Sequence, residues 1–313
     1  YFSKADWMRH LMMGWKIARR VALRFVAGES LEDAIVAIQR LNSKSMIATI
    51  DQLGEDTNTA AEARKTAEDI LKILDVIESS GVRSSVSIKL TQIGLKLDED
   101  LCGEILAKIL SHAQQLNNFV RIDMEDSDCV DCTMRLYWKM REEFGFKNVG
   151  MVIQSYLYRS DQDTQSLLSG ETCIRMVKGA YKEPPEIAYP KKKDVDKAFD
   201  RLVKMILEKA QSDSSPAISP DGKWPPITAV ATHDLKRIEY AIAVANQLGV
   251  PKEKLEFQML YGIRRDIQED LVAQGYPVRI YVPFGPQWYP FFMRRLAERP
   301  ANLWFFVTSL FSR

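Results

Sequence analysis

Arg294 and Arg295 stand side by side near the end of residues 279–302, R-I-Y-V-P-F-G-P-Q-W-Y-P-F-F-M-R-R-L-A-E-R-P-A-N, and adjacent guanidinium groups are the chemistry of an anion clamp. The stretch reads as a strand over 278–282 that turns at Pro283 and Gly285 and enters a helix near Gln287, with Pro290 tolerated in the first turn. Neighbours on a helix diverge by about 100°, so both forks meet one carboxylate or phosphate only if it lies across the helix face. Glu298, three and four residues further on, is spaced to hold one fork still and to offset part of the like-charge repulsion. Tyr281, Tyr289, Phe291 and Phe292 add aromatic surface, and a clamp beside such walls fits a small amphoteric substrate. For an isolated Arg-Arg pair the plain alternative is a solvated helix end.

A second constellation lies mid-chain. Arg121, Asp123 and Glu125 alternate with Ile122 and Met124, so on a strand the three charges share one face. Buried there they need partners, and Lys89 and Arg175 are candidates; a structural ion network is the competing reading. Cys129 and Cys132 form a lone C-x-x-C, but with two further cysteines and only His10, His112 and His233 the ligands for a zinc site are lacking, and no metal is expected. No G-x-G and no G-x-x-x-x-G-K occurs, so a nucleotide has to be held in some other way.

These residues must be positioned by something, and the chain supplies a regular frame. From Ser45, β-rich runs over 46–50, 85–90, 119–124, 149–153, 172–177, 227–231, 255–259 and 278–282 alternate with helical stretches over 59–79, 99–116, 133–143, 194–211, 235–248 and 264–273. A short helix follows the fourth run and the clamp helix the last. Eight such units in 313 residues predict an α/β fold, a (β/α)8 TIM-type barrel, over an open doubly wound sheet. Residues 1–44 read as an N-terminal helical arm, with Leu11, Trp15, Ala18 and Ala22 and then Leu31, Ile35 and Ile38 at helical spacing and Ser30 capping the second helix. Residues 45–313 then form the catalytic barrel.

In such a barrel the chemistry gathers where strands end. Those positions hold Asp51 and Glu55, then Lys89, Thr91 and Gln92, then Arg121, Asp123 and Glu125, and then Gln154. They continue with Arg175, Lys178, Gly179 and Tyr181, with Thr232, His233 and Asp234, with Gln258, Tyr261 and Gly262, and with Tyr281. Polar groups at every strand end favour an active site. Two loops break the rhythm: 183–193, whose lysine run reads as solvated, and 211–226, a Ser/Pro-rich segment that reads as a mobile surface loop on the opposite face.

The net charge of +1 gives no electrostatic case for nucleic acid, and no run approaches the apolar length of a membrane span. The apolar tail over 302–311 is suited to rest on a bilayer or to pack under the barrel. Four cysteines in so long a chain make no disulfide framework and point to a reducing compartment. The chain opens on Tyr1 rather than Met, which leaves a removed leading segment open.

The motifs S-I-K-L-T-Q, R-I-D-M-E-D-S, V-I-Q-S-Y-L, I-R-M-V-K-G-A-Y, A-T-H-D, E-F-Q-M-L-Y-G, R-I-Y-V-P-F-G and Y-P-F-F-M-R-R-L-A-E-R occur in this order. Together they resemble the proline dehydrogenase family, in particular its monofunctional bacterial members. The resemblance covers Ser45 to the end. It implies an FAD-dependent flavoenzyme on a (β/α)8 barrel that oxidises L-proline to Δ1-pyrroline-5-carboxylate by hydride transfer from C5 to the flavin. Electrons then pass to a membrane quinone, in the first step of proline catabolism to glutamate. It implies that Lys89, Asp123 and Tyr281 are catalytic, and that Lys89, Tyr281, Arg294, Arg295 and Glu298 bind substrate. Asp123, Gln154, Arg175, Val177, Gly179, Ala180, Thr232, His233, Gln258 and Tyr261 would line FAD. It also implies a cytoplasmic enzyme peripheral at the inner face of the membrane, with pyrroline-5-carboxylate dehydrogenase a possible partner. Phe291 stands where some relatives have tyrosine, and Lys182 where others carry tryptophan. The rivals are a Schiff-base lyase using Lys89 or Lys178, hydroxyproline oxidation, and a barrel kept only as a scaffold.

Overall fold

The computed structural model describes residues 24–54, 56–289 and 291 of the chain. Glu55, Phe292, Arg294, Arg295, Glu298, the tail over 302–311 and the leading helical positions up to Ala22 therefore lie outside the described residues. Eight parallel strands close on themselves in sequence order, β1 (Ile47–Gln52), β2 (Ser84–Ile88), β3 (Val120–Ile122), β4 (Val149–Gln154), β5 (Ile174–Val177), β6 (Thr228–Ala231), β7 (Leu255–Leu260) and β8 (Val278–Phe284). The ring is completed where β1 pairs with β8 from Ile47↔Arg279 to Gln52↔Phe284.

A helix precedes β1, α1 (Leu31–Asn42), and each of the first seven strands is followed by one: α2 (Ala60–Ser80), α3 (Glu99–Gln115), α4 (Val130–Trp138), α5 (Ser160–Ser169), α6 (Lys192–Ala210), α7 (Leu235–Leu248) and α8 (Arg265–Ala273). Their ends are written locally. Ser30 with Asp33 and Thr59 with Glu62 form reciprocal capping boxes, and Asp98 and Asp234 accept from the first-turn N–H groups of α3 and α7. Gly81 and Gly249 end α2 and α7 in the left-handed conformation. The apolar core is the layer between strands and helices, where outward Ile50, Ile88, Ile122, Met151 and Val282 meet helix residues such as Ile70, Leu74 and Leu106. Ala34, Ile35 and Ile38 of α1 join the same layer.

Two segments differ from the sequence-based expectation. Strand β8 does not turn at Pro283 but runs through it to Phe284. Pairing with β7 stops at Leu260↔Tyr281, so Pro283 has β1 on one side only and no ladder partner waits for the N–H it lacks. Its carbonyl accepts from Ala27 N–H at 2.9 Å. The 211–226 loop is not a loose surface loop but the floor of the barrel. Arg279 Nη2 reaches up-chain to Gly222 O at 2.8 Å, Trp224 donates to Asn117 O at 3.2 Å and packs its ring 5.8 Å from Phe119. The sequence shows only its polar composition, whereas the tether comes from a strand more than fifty residues away.

Among the described residues no helix is long and apolar enough to cross a membrane.

Candidate active site

The barrel interior is polar where such barrels usually hold branched apolar side chains. The reason is the two-residue period of the strands. Thr49 and Asp51, Ser85 and Ser87, Arg121 and Asp123, Glu256 and Gln258, and Arg279 and Tyr281 are alternate residues, so each pair points the same way, and the hydrogen bonds between pairs show that way to be inward. The consequence is a ladder of charges rising from the floor to the mouth.

At the floor, Arg279 grips Glu256 with Nε and Nη2, each at 2.9 Å, and both residues are fully buried. One step up, Gln258 Nε2 donates to Glu256 at 2.5 Å while its Oε1 accepts from Arg175 Nε. Arg175 spends its other nitrogens on Asp123 Oδ1 at 2.7 Å and Ser87 Oγ at 3.0 Å. At the mouth, Tyr281 donates its hydroxyl to Asp123 Oδ2 at 2.7 Å and accepts from Lys89 Nζ at 3.2 Å. Lys89 in turn donates to Asp51 Oδ1 at 2.8 Å and lies 3.5 Å from Asp123 Oδ2. The Arg175 guanidinium lies 5.4 Å from the Tyr281 ring centre.

This web fixes protonation. Burial alone would pull the Lys89 ammonium down, but the Asp51 and Asp123 carboxylates outweigh it and hold Lys89 above the ordinary lysine value. Burial and the Asp123 charge push the Tyr281 phenol well above its usual value, so it is a hydrogen-bond donor rather than a phenolate. Lys89 and Arg175 are thus balanced by Asp51 and Asp123. Lys89, expected to bind substrate, stands at the mouth with its charge already shared between two carboxylates. The same pairing weighs against Lys89 as a Schiff-base nucleophile, which must be neutral to attack. Lys178, the other candidate for that role, is pinned between Asp196 at 2.5 Å and Asp234 at 2.8 Å.

The strand-three charges separate. Asp123 is the hub of the web and Arg175 and Lys89 are its partners. Arg121 instead points below them and donates to the carbonyls of Met151 and Cys173, with Nη2 meeting no hydrogen-bonding group among the described residues. Burial, reinforced by the nearby Arg175, lowers it to about 9. Glu125 lies beyond the strand end, where Thr91 N–H and Oγ1 donate to it at 3.1 and 2.6 Å.

The residues expected to line a cofactor form one side of the mouth. Gln154 donates Nε2 to Glu125 O at 2.7 Å, while its Oε1 is buried with no partner among the described residues. After β5 the backbone of Gly179 and Ala180 lies open to solvent, and Gly179 has φ +121°, with space for a Cβ taken up by the Tyr156 ring at 2.2 Å. Thr232 Oγ1 accepts from Asp234 N–H at 3.1 Å, His233 Nε2 accepts from Leu260 N–H at 3.0 Å, and Tyr261 N–H donates to Tyr281 O at 3.0 Å. His233 is therefore held with its proton on Nδ1 when neutral. Val177 is half-buried at the end of β5. The loop over 183–193 is tied across this side: Glu183 accepts from Ser127 N–H and Oγ at 2.8 and 2.6 Å, and Tyr189 N–H reaches Tyr156 O at 2.8 Å.

Asp51, Ser87, Glu256 and Arg279 carry as much of the web as the expected residues do. Asp51 is legible as a strand-end carboxylate. The other three are legible only through the alternation with Lys89, Gln258 and Tyr281 once the strands are known to face inward.

Comparison with known proteins places this arrangement. The protein-family model described as proline dehydrogenase matches residues 34–307. A proline dehydrogenase of Deinococcus radiodurans is 41% identical over 95% of this chain and 90% of its own length. Proline dehydrogenase 1 of Bacillus subtilis is 40% identical over 93% of this chain and 91% of its own. Among solved structures, proline utilization A from Bdellovibrio bacteriovorus, inactivated by N-propargylglycine, superposes with a TM-score of 0.80 at 25% identity over 90% of this chain, which spans 33% of that longer one.

Proposed function

The chain belongs to the proline dehydrogenase family, and from that premise we propose the reaction and the division of labour among its residues. It is an oxidoreductase acting on L-proline. The product is Δ1-pyrroline-5-carboxylate: C5 gives up a hydride, the amine nitrogen gives up a proton to water, and a C5=N bond forms.

FAD is the cofactor in this reading, and when bound it supplies the two-electron acceptor. The residues present suit such a group. Gln154 Oε1 is a buried acceptor in want of an N–H, and the exposed backbone at Gly179 and Ala180 lets a flat ring or a phosphate approach closely. Arg175, Val177, Thr232 and His233 stand on the same side of the mouth, with Gln258 beneath Arg175 and Tyr261 beside Tyr281.

Tyr281 packs over the proline ring, with Asp123 and Lys89 fixing the phenol. Because Lys89 and Arg175 are already matched by Asp51 and Asp123, the substrate carboxylate needs further positive charge. Arg294 and Arg295 provide it in this reading, with Glu298 steadying the pair. A membrane quinone takes the electrons onward, at a cytoplasmic enzyme peripheral to the membrane, and an enzyme that oxidises pyrroline-5-carboxylate consumes the product.

The observation that carries the proposal is the Lys89–Tyr281–Asp123–Arg175 web at the C-terminal mouth of the barrel. The test is the visible absorption spectrum of the purified protein before and after anaerobic addition of L-proline. A flavin spectrum that bleaches with L-proline, and far less with trans-4-hydroxy-L-proline, is expected. Flavin that stays oxidised removes the substrate, and a colourless protein that takes up no added FAD removes the cofactor.

A further inference from the structure

Gln258 sits in the middle of the ladder with both ends of its amide committed, and the direction of that amide is not free. Glu256 is gripped side-on by Arg279 at 2.9 and 2.9 Å, which leaves its carboxylate an acceptor only. Whatever faces Glu256 must donate, so Gln258 turns Nε2 downward and Oε1 upward. Oε1 is then the acceptor that Arg175 Nε meets. If the amide were reversed, an N–H would face an N–H and Arg175 would have to leave that position.

Arg175 does not move alone. Its Nη1 holds Asp123 Oδ1, and Asp123 Oδ2 is where Tyr281 and Lys89 converge. Glu256 is fully buried and separated from the mouth by two residues, yet its charge decides how the next residue is oriented, and that orientation decides where the guanidinium stands. We propose that Glu256 is a positioning residue for proline oxidation, acting through the orientation of the Gln258 amide on Arg175 and thereby on Asp123 and Tyr281.

This rests on the reading above that Arg175, Asp123 and Tyr281 face the reacting molecules. The polarity of the relay makes a specific rescue available. Glu256→Gln loses the fixed acceptor, so the two amides can pair either way round and Arg175 is no longer held in one place. Exchanging the two residues, E256Q with Q258E, restores a fixed direction: the new amide at 256 turns its oxygen to the Arg279 fork and donates its N–H to 258, the new carboxylate at 258 accepts from Arg175, and the charge of the interior is unchanged.

The experiment compares the FAD-loaded wild type, E256Q, Q258M and the exchange E256Q/Q258E for kcat/KM with L-proline. Cyclopentanecarboxylate, the ring acid that lacks the oxidisable amine, is titrated against each as a binding readout. E256Q and Q258M are expected to lose about tenfold to a hundredfold in kcat/KM, the scale of a misplaced catalytic group, and to bind cyclopentanecarboxylate more weakly. The exchange is expected to recover most of both. Wild-type rates in E256Q, or an exchange no better than E256Q, would overturn the proposal. Should E256Q not fold, the exchange is compared with Q258M, and equal rates overturn it. A wild type that does not oxidise proline at all strikes the functional reading instead, because the comparison among variants then has no reference.

Discussion

Tyr281 donates a hydrogen bond from its hydroxyl to Asp123 at 2.7 Å across the mouth of the barrel, while its ring lies against the Arg175 guanidinium. The phenol is thereby locked at both its polar and its aromatic surfaces. Tyr281→Phe keeps the ring and removes the lock. A hydrogen bond to a charged partner contributes about 1.5–3 kcal/mol, so kcat/KM for L-proline is expected to fall roughly ten- to a hundredfold in steady-state assays.

Lys89 holds a buried carboxylate, Asp51, and a partly buried one, Asp123, together. Lys89→Met leaves Asp51 and Asp123 facing each other without that ammonium, and removing one partner from a buried ion pair costs roughly 3–5 kcal/mol. Burial, with the Asp123 charge, already pushes the Asp51 carboxyl up from its usual value. In the variant the folded state gains a proton more readily than the unfolded chain, so its stability rises as pH falls. Thermal unfolding at a series of pH values checks this; a variant whose deficit does not shrink on acidification would contradict it.

Gly179 combines φ +121° with the Tyr156 ring 2.2 Å from where a Cβ would sit. Gly179→Ala therefore has to displace backbone or ring, and strain of this kind costs of order 1–3 kcal/mol. The expected outcome is a protein that folds but purifies with less bound flavin, measured as the flavin-to-protein ratio.

Asp200 gives a pH signature away from the mouth. Burial pushes its carboxyl from 3.8 to about 6, even though Arg237 Nε lies 2.8 Å away, because the two atoms are not aligned for a hydrogen bond. A folded-state value above the unfolded one means the folded protein binds the extra proton, so this group's contribution to stability falls as pH rises from about 4 to about 6. Asp200→Asn is expected to flatten that stretch of the stability profile in urea titrations.

The floor loop should resist proteolysis as long as Arg279 holds Gly222. Arg279→Met also strands Glu256, at roughly 3–5 kcal/mol. Cleavage within 211–226 is expected to accelerate in the variant and to be slow in the wild type when digests are followed by mass spectrometry.

The barrel was legible because its signals are local. Eight apolar runs of strand length, spaced by helical stretches, leave few other ways to bury so much apolar surface, and the capping boxes at Ser30 and Thr59 depend on residues three apart. The alternation Arg121, Asp123 likewise declared an inward charged face, and Lys89 and Arg175 were recognisable as its partners because strand ends gather at one mouth.

What sequence could not decide was which charge met which. Asp123 drew both predicted cations while Arg121 settled on backbone carbonyls and Glu125 on Thr91, a choice made by strand register and by β3 ending at Ile122. The place of Pro283 depended on which neighbouring strand stopped first. The neutralisation of Lys89 by Asp51, the amide direction of Gln258 set by Glu256, and the floor tied to Arg279 join residues between two and more than fifty positions apart. Local pattern determined the elements and the kinds of residue at the mouth; closure of the barrel decided their partners, because only closure brings eight strand ends within hydrogen-bonding distance and removes the water that would otherwise satisfy each charge separately.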